Sequence, residues 1–214
     1  MINKENKAKD LGNQKLPKSF YLQEDVVDLA QKLLGKVLVS NIEGIRTSGI
    51  IVETEAYRGK DDKAAHSYNN RRTKRTSIMF EEGGVCYVYL IYGIHALFNV
   101  IIGPKDQADG VLIRAIEPLE NVDQMLIRRN MQHAHPQLTA GPGVLTKALG
   151  ITTQHNGLDL SASDSSIWIE DHLIKYTQDE IIASPRVNID YAEESVDWPW
   201  RFRIKTSKWT SKAK

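Results

Sequence analysis

Two glutamates, Glu53 and Glu55, are the residues whose type and spacing best suit chemistry in this chain. They lie in a β-branched run, 45–56, that predicts a strand. Because side chains alternate along a strand, both carboxylates should share one face with Ile51 and Tyr57, about 7 Å apart at roughly 3.3 Å per residue. The other face can be buried through Ile50, Val52 and Ala56. The glutamate face could line a cleft and supply a general acid or base, or it could be solvated or paired with arginines.

Tyrosines are concentrated in the same part of the chain. Four of the eight are Tyr57, Tyr87, Tyr89 and Tyr92. Tyrosines in strands usually pack in a core or across a strand pair. Tyr92 differs because it precedes Gly93, at a predicted turn between strands over 85–92 and 96–102. There its ring would stand at the tip of a hairpin, as the wedges of proteins that unstack base pairs do.

A polar, basic loop is predicted over 69–75. Its cations suit either a solvated surface loop or contacts with phosphates, and they are Arg71, Arg72, Lys74 and Arg75. The whole chain does not favour a polyanionic partner, because 28 Lys and Arg against 27 Asp and Glu give a formal net charge of +1. Any such partner must meet a local patch.

The length of 214 residues, 41% of them hydrophobic, fits one globular domain, predicted over 16–210. Residues 1–15, rich in Lys and Asn, predict a disordered lead-in without the apolar run of a signal peptide. The single cysteine, Cys86, excludes an intrachain disulfide and a multi-cysteine metal site. No segment has the roughly 20 apolar residues of a membrane helix, so we expect a soluble, cytoplasmic protein.

Apolar periodicity and turn residues predict the elements that hold these side chains. Helices are expected over 25–34, from Pro118 to about Arg129, and over 142–149. Further strands are expected over 36–40, 111–116, 166–170 and 200–204. Short connections favour antiparallel pairing. The expected fold is therefore α/β (α+β), a single domain with a mostly antiparallel, curved sheet, flanking helices and a protruding hairpin.

Several uncommon motifs follow one another along the chain. They are Val52-Glu53-Thr54-Glu55-Ala56-Tyr57, Ala64-Ala65-His66-Ser67, Tyr87-Val88-Tyr89-Leu90-Ile91-Tyr92-Gly93, Asn99, and Leu112-Ile113-Arg114-Ala115-Ile116-Glu117-Pro118. With these motifs the sequence closely resembles the alkyladenine (3-methyladenine) DNA glycosylase family, over about 16–209. The resemblance implies a repair enzyme that flips a damaged purine out of the duplex and hydrolyses its bond to the sugar. It implies 3-methyladenine, 7-methylguanine, hypoxanthine and ethenoadenine as substrates.

The resemblance also implies the catalytic residues. Glu55 matches the family's general base, which deprotonates a water, and Arg114 matches an arginine that holds this water and the nucleotide phosphate. It implies no metal and no cofactor. The expected partner is double-stranded DNA containing a damaged purine, and we expect the protein to be a monomer without membrane contact.

The same resemblance implies how DNA is held. Tyr57, His66 and Tyr89 match the pocket that sandwiches the base. Asn99 matches the residue that hinders the amino group of normal guanine, and Tyr92 matches the tyrosine that intercalates into the duplex. Backbone contacts are expected from Arg71, Arg72, Arg75 and Lys147.

Two positions depart from the family pattern. Val144 stands where a lysine commonly follows the glycine–proline pair, and Lys147, one helical turn on, could take over a phosphate contact. Near the end of the chain Lys208 replaces a proline that is frequent in animal members. Neither change falls on the predicted base pocket, so we expect these changes to alter DNA affinity rather than the rate of the chemical step.

Other classes of protein stay open. A helix-hairpin-helix glycosylase is faintly suggested by 138–149, although the rest of that pattern is absent. A hydrolase of free nucleosides or glycosides could divide acid and base duties between Glu53 and Glu55, but that chemistry usually needs groups on opposite sides of the bond. In a non-catalytic nucleic-acid-binding module Glu55 would be structural, and its charge would repel phosphate.

Overall fold

The computed structural model describes residues 14–211, in which one nine-stranded sheet carries four α-helices. The strands are β1 (Gln14–Lys15), β2 (Val37–Ile42), β3 (Ile45–Tyr57), β4 (Cys86–Ile91), β5 (His95–Ile102), β6 (Asp109–Glu120), β7 (Ile167–Asp171), β8 (Ile181–Ser184) and β9 (Arg201–Ile204). The helices are α1 (Lys18–Tyr21), α2 (Val26–Lys32), α3 (Val122–Arg129) and α4 (Pro142–Leu149).

Strand β3 is the centre of the sheet. The strand order is β1-β7-β2-β3-β6-β5-β4, and β9 pairs with β3 while β8 pairs with β9. Every strand pair among the described residues is antiparallel, which confirms the predicted α/β class and pairing. The sheet is open and does not curl into a barrel, and its pairing is irregular where β3 shifts register against β6 near Glu53. The curvature we expected stays a prediction.

Helix α2 packs its apolar face on the sheet behind β3. It begins after Asp25, whose carboxylate accepts hydrogen bonds from the main-chain N–H groups of Val27 and Asp28 at 2.9 and 3.0 Å. Its buried side chains are Val26, Leu29 and Ala30. The Thr54 hydroxyl donates to the carbonyl of Ala30 at 2.8 Å, so α2 fixes the back of the strand that bears both glutamates.

The helix expected from Pro118 was wrong at its start. Pro118 lies in β6, opposite Gly49 at a register shift of the β3–β6 ladder, and α3 begins only at Val122. A proline has no N–H to donate to the ladder, and a bulge is one of the few places in a sheet that tolerates this. Asn121, at φ +55°, then turns the chain from β6 into α3.

Strands β4 and β5 form the predicted hairpin, in a register that runs from Cys86 opposite Val100 to Ile91 opposite His95. The tip is Tyr92-Gly93-Ile94. Tyr92 has φ +52° and Gly93 has φ +72°, a left-handed pair that the glycine makes easier to form. The Tyr92 side chain is 81% exposed and Ile94 is 72% exposed, so an apolar tip stands free of the sheet.

The chain start also differs in part from expectation. Gln14 and Lys15, counted in the lead-in, form β1 and pair with β7, whereas 1–13 lie outside the described residues. Strand β8 was not predicted from the sequence. No helix within 14–211 combines the length and the apolar character needed to cross a membrane.

Candidate active site

A cavity of about 470 Å³ opens beside the β4–β5 hairpin, a size within the range of small-molecule sites. The seven predicted site residues that line it are Tyr57, His66, Arg75, Tyr89, Tyr92, Asn99 and Arg114. Its far wall is the start of α4, Gly141–Val144, together with 187–189 and Tyr191. Residues from seven separate stretches of sequence therefore face one hollow.

Glu55 lies one layer behind the wall of this cavity. Its carboxylate has no exposed surface. Oε2 accepts hydrogen bonds from the Tyr57 hydroxyl at 2.8 Å and from Arg114 Nη1 at 3.2 Å, and Oε1 accepts one from the main-chain N–H of Val187 at 2.9 Å. All three donor residues line the cavity. The carboxylate is thus paired with an arginine, yet it is separated from the cavity only by its own partners.

Burial and charge leave these groups in defined protonation states. Burial raises the pKa of Tyr57 well above its usual value, and the Glu55 carboxylate adds to the effect, so the hydroxyl is a donor. Burial alone would lower the pKa of Arg114, but Glu55 and Glu53 outweigh it and raise this pKa. Arg114 therefore stays a cation between the two carboxylates.

Glu53 has a different environment from Glu55, although both lie on the same strand. Its Oε1 accepts from Arg114 Nε at 3.1 Å, from Arg201 Nε at 2.7 Å and from the Ser211 hydroxyl at 2.8 Å. Its Oε2 accepts from the main-chain N–H of Ser211. Glu53 is fully buried and does not line the cavity. Of the interpretations given for the glutamate face, pairing with arginines therefore describes Glu53, and lining a cleft does not.

His66, Tyr87 and Tyr89 form an aromatic wall of the cavity. The rings of Tyr87 and Tyr89 stack, with centroids 5.1 Å apart and an interplanar angle of 28°. His66 lies edge-on to Tyr89 at 4.6 Å, and its Nδ1 is 3.2 Å from the Tyr87 hydroxyl. Loss of solvation, with a smaller contribution from Arg75, lowers the pKa of His66 to about 4. Near neutral pH the imidazole is therefore an uncharged ring suited to stacking.

Asn99 closes one end of the cavity from β5, where it pairs with Tyr87. It is 7% exposed, and its Nδ2 donates to the carbonyl of Tyr87 at 3.1 Å. This bond holds the amide in one orientation, so Asn99 is a rigid boundary.

The predicted basic residues do not form one patch. Arg75 lines the cavity with its guanidinium carbon 5.1 Å from the centroid of Tyr89, whereas Arg72 pairs with Asp106 at 3.4 Å. Arg71 is exposed. Lys147 lies at a second, smaller cavity on the other side of the hairpin, while Val144 lines the main one. Lys147 therefore does not occupy the space that a lysine at 144 would reach.

Two residues that line the cavity, Val187 and Tyr191, and the neighbouring Arg186 were not predicted from the sequence. They lie between the strands expected over 166–170 and 200–204, where the sequence predicted polar loops. Val187 takes part through its main-chain N–H, a donor that leaves no trace in residue type. Within 14–211 no group of three or more His, Cys, Asp or Glu side chains is arranged to hold a metal ion.

The sequence also matches known proteins along most of its length. A family model described as Methylpurine-DNA glycosylase (MPG) matches residues 19–208. A Bacillus cereus protein is 48% identical over 204 residues, 92% of this chain and 98% of its own length. A Bacillus cytotoxicus protein is 49% identical over 208 residues, 92% of this chain and 100% of its own. A Chlamydia abortus protein is 49% identical over 190 residues, 88% of this chain and 97% of its own.

The names of all three relatives contain the words "3-methyladenine DNA glycosylase". A family match over 19–208 and relatives near half identity agree with the motifs that the cavity brings together. The chain therefore belongs to the methylpurine-DNA glycosylase (MPG) family and is a hydrolytic DNA glycosylase.

Proposed function

We propose that this enzyme is a monofunctional, monomeric glycosylase that removes alkylated or deaminated purines from double-stranded DNA after base flipping. Its substrates are 3-methyladenine, 7-methylguanine, hypoxanthine and ethenoadenine. One observation carries the proposal: the Glu55 carboxylate lies directly behind an aromatic cavity that opens beside the exposed Tyr92 tip. Flipped bases are read by stacking and edge contacts in pockets of this kind.

In the proposed reaction Glu55 accepts a proton from a water while the water oxygen bonds to the anomeric carbon of the sugar. The bond from that carbon to the purine nitrogen breaks, and its electron pair leaves with the base. A carboxylate has about four acceptor positions, and three are used here, which leaves one on Oε1. The water must enter between Tyr57, Arg114 and Val187, because Glu55 has no exposed surface of its own.

Charge supports the same assignment. The sugar becomes cationic as the bond breaks, and a carboxylate held in a dry site stabilises such charge strongly. Arg114 donates from Nε to Glu53, from Nη1 to Glu55 and from Nη2 to the Ser211 hydroxyl at 3.5 Å, so one N–H on each terminal nitrogen is left to hold the water or a phosphate. Arg71, Arg72, Arg75 and Lys147 stay proposed contacts to the DNA backbone.

Selection of the base is assigned to the aromatic wall and to Asn99. Neutral His66, Tyr57 and Tyr89 offer ring surfaces on which an electron-poor purine can stack. Asn99 is fixed by its bond to Tyr87, so it cannot turn away from the amino group of a normal guanine. The lesion would therefore be chosen by stacking and by exclusion.

The alternative of a two-carboxylate hydrolase of free glycosides is disfavoured by Glu53. All of its partners are protein donors, and it does not reach the cavity. One carboxylate is then left for the reaction, which suits hydrolysis by an activated water.

The proposal is tested by supplying hypoxanthine in two forms, as a base in a labelled duplex and as free inosine. We expect alkali-labile abasic sites in the duplex and no release from the nucleoside, because the Tyr92 tip and the basic residues have no role toward a free nucleoside. A duplex of the same sequence with adenine at that position is the control. Release from inosine at a comparable rate would instead support a nucleoside hydrolase.

Tyr92→Ala is expected to reduce the preference for lesion over normal duplex by about 10-fold in Kd, since stacking on one aromatic side chain contributes roughly 1–3 kcal/mol. Competition binding with fluorescent duplexes measures the ratio. Ile127→Ala is the matched control, because Ile127 is also exposed, at 71%, but lies on α3. Unchanged discrimination by the Tyr92 variant would show that another residue fills the gap in the duplex.

A further inference from the structure

Arg186 is a fully buried arginine next to the active site that does not line the cavity. Its Nη1 donates to the carbonyl of Ala56 at 2.8 Å and to Asp62, and its Nη2 donates to Asp62 at 2.8 Å and to the carbonyl of Ser195 at 3.2 Å. All four terminal N–H groups of the guanidinium are used. Asp62 is equally buried, with no exposed side-chain surface.

This arginine contacts two of the three segments that supply Glu55 with hydrogen bonds. The guanidinium carbon lies 4.7 Å from the ring centroid of Tyr57, whose hydroxyl donates to Glu55. Arg186 also binds the carbonyl of Ala56, the residue between Glu55 and Tyr57. Val187, the next residue in the chain, donates its N–H to Glu55. Two of the three donors to the carboxylate therefore depend on where Arg186 is held.

Asp62, the partner of Arg186, also binds main-chain N–H groups of the loop that carries His66. Its Oδ1 accepts from the N–H of Ala64 at 3.0 Å, and its Oδ2 accepts from the N–H of Arg58 at 3.3 Å. The neighbouring Lys63 N–H donates to the Ser195 hydroxyl at 3.1 Å. The Arg186–Asp62 pair thus joins loop 58–67 to loop 186–195, and both loops line the cavity.

We propose that Arg186 and Asp62 are a positioning pair that holds the Tyr57 hydroxyl and the Val187 N–H against the Glu55 carboxylate. The inference rests on the proposed role of Glu55 as the base. Neither residue of the pair lines the cavity, and the two donors that they hold reach Glu55 and not the base, so their main effect falls on the rate of the chemical step. Small displacements of a reacting group have large effects, since a misplacement of about 1 Å can slow a reaction about 10²-fold.

The test is Arg186→Lys, which keeps the charge but cannot reproduce a planar fork of four donors. We expect the single-turnover rate of hypoxanthine release to fall by about 10- to 100-fold, while the Kd for the lesion duplex stays within about twofold of the unsubstituted protein. Arg46→Lys is the matched control. Arg46 also pairs bidentately with a carboxylate, Glu170, but it does not line the cavity, and its variant should release base at the normal rate.

A second variant covers the case in which Arg186→Lys does not fold. Arg186→Met with Asp62→Leu removes both charges together, which buried ion pairs often tolerate. It should bind the lesion duplex normally and release base slowly. A normal rate from any folded variant of the pair, or a loss of binding equal to the loss of rate, would overturn the inference. Failure of the unsubstituted protein to release hypoxanthine would instead count against the proposed function.

Discussion

Replacing Glu55 with glutamine is expected to slow base release by about 10³-fold or more, while binding of the lesion duplex stays nearly unchanged. The variant keeps the volume of the side chain but lacks the negative charge and the basic oxygen that the proposed reaction assigns to Glu55. It also cannot satisfy all three donors. When the amide oxygen replaces Oε1, the amide nitrogen replaces Oε2 and meets the donor Arg114. When the amide oxygen replaces Oε2, the amide nitrogen replaces Oε1 and meets the Val187 N–H. Single-turnover release of hypoxanthine and a gel-shift titration measure the two quantities.

Glu170→Gln is the control for this variant. Glu170 is also a buried carboxylate bound by an arginine, Arg46, but it lies on β7 and does not line the cavity. Its variant should release base at the normal rate. Turnover close to normal by Glu55→Gln would mean that another group is the base, and equal losses of binding and release would point to a structural role.

The shared face of the two glutamates could be predicted because strand alternation is local. It depends only on the residues of β3, and the strand is observed at Ile45–Tyr57. The difference between the glutamates could not be predicted. It depends on Arg201 and Ser211, which are about 150 residues away in sequence. Arg201 comes to Glu53 through the pairing of β9 with β3, and Ser211 lies in the segment that follows β9.

The hairpin tip illustrates what local sequence does determine. A tyrosine followed by glycine between two β-branched runs predicted the turn, and the structure has the turn at that place. The basic loop illustrates the opposite. Asn69 and Asn70 have φ values of +57° and +52°, so the chain changes direction just before the arginines, and Arg72 and Arg75 end on different partners. A run of basic residues in a sequence predicts an exposed, polar loop, but it does not predict which way each side chain points.

Pro118 shows how two local signals can compete. A proline is favourable at the start of a helix, and this preference led to a helix that begins four residues too early. The β-branched run before it extends β6 instead, because a shift in the ladder at Gly49 removes the need for an N–H at Pro118. Whether Pro118 lies in a strand or in a helix therefore depends on its partner strand β3, which is distant in sequence.

Glu53→Gln is expected to have the opposite effect to Glu55→Gln, a large loss of stability with the active-site carboxylate still in place. Breaking a buried ion pair on one side costs about 3–5 kcal/mol, a large part of the roughly 5–15 kcal/mol that stabilises a whole domain. The amide has one acceptor oxygen for two arginines and two donors of Ser211, so its nitrogen must face a donor. Urea unfolding followed by circular dichroism measures the change in the free energy of unfolding.

The order of the two glutamate variants in that measurement follows from the charge balance of the network. Arg114 and Arg201 are balanced by Glu53 and Glu55, and only Glu53 contacts both arginines. Without its charge Arg201 has no carboxylate partner among the described residues, whereas without Glu55 both cations still share Glu53. Glu53→Gln should therefore unfold at lower urea than Glu55→Gln. Glu120→Gln, which removes a half-exposed partner of Arg46, should cost about 0–1 kcal/mol. Equal unfolding midpoints for Glu53→Gln and Glu55→Gln would mean that Glu53 does not hold the network together.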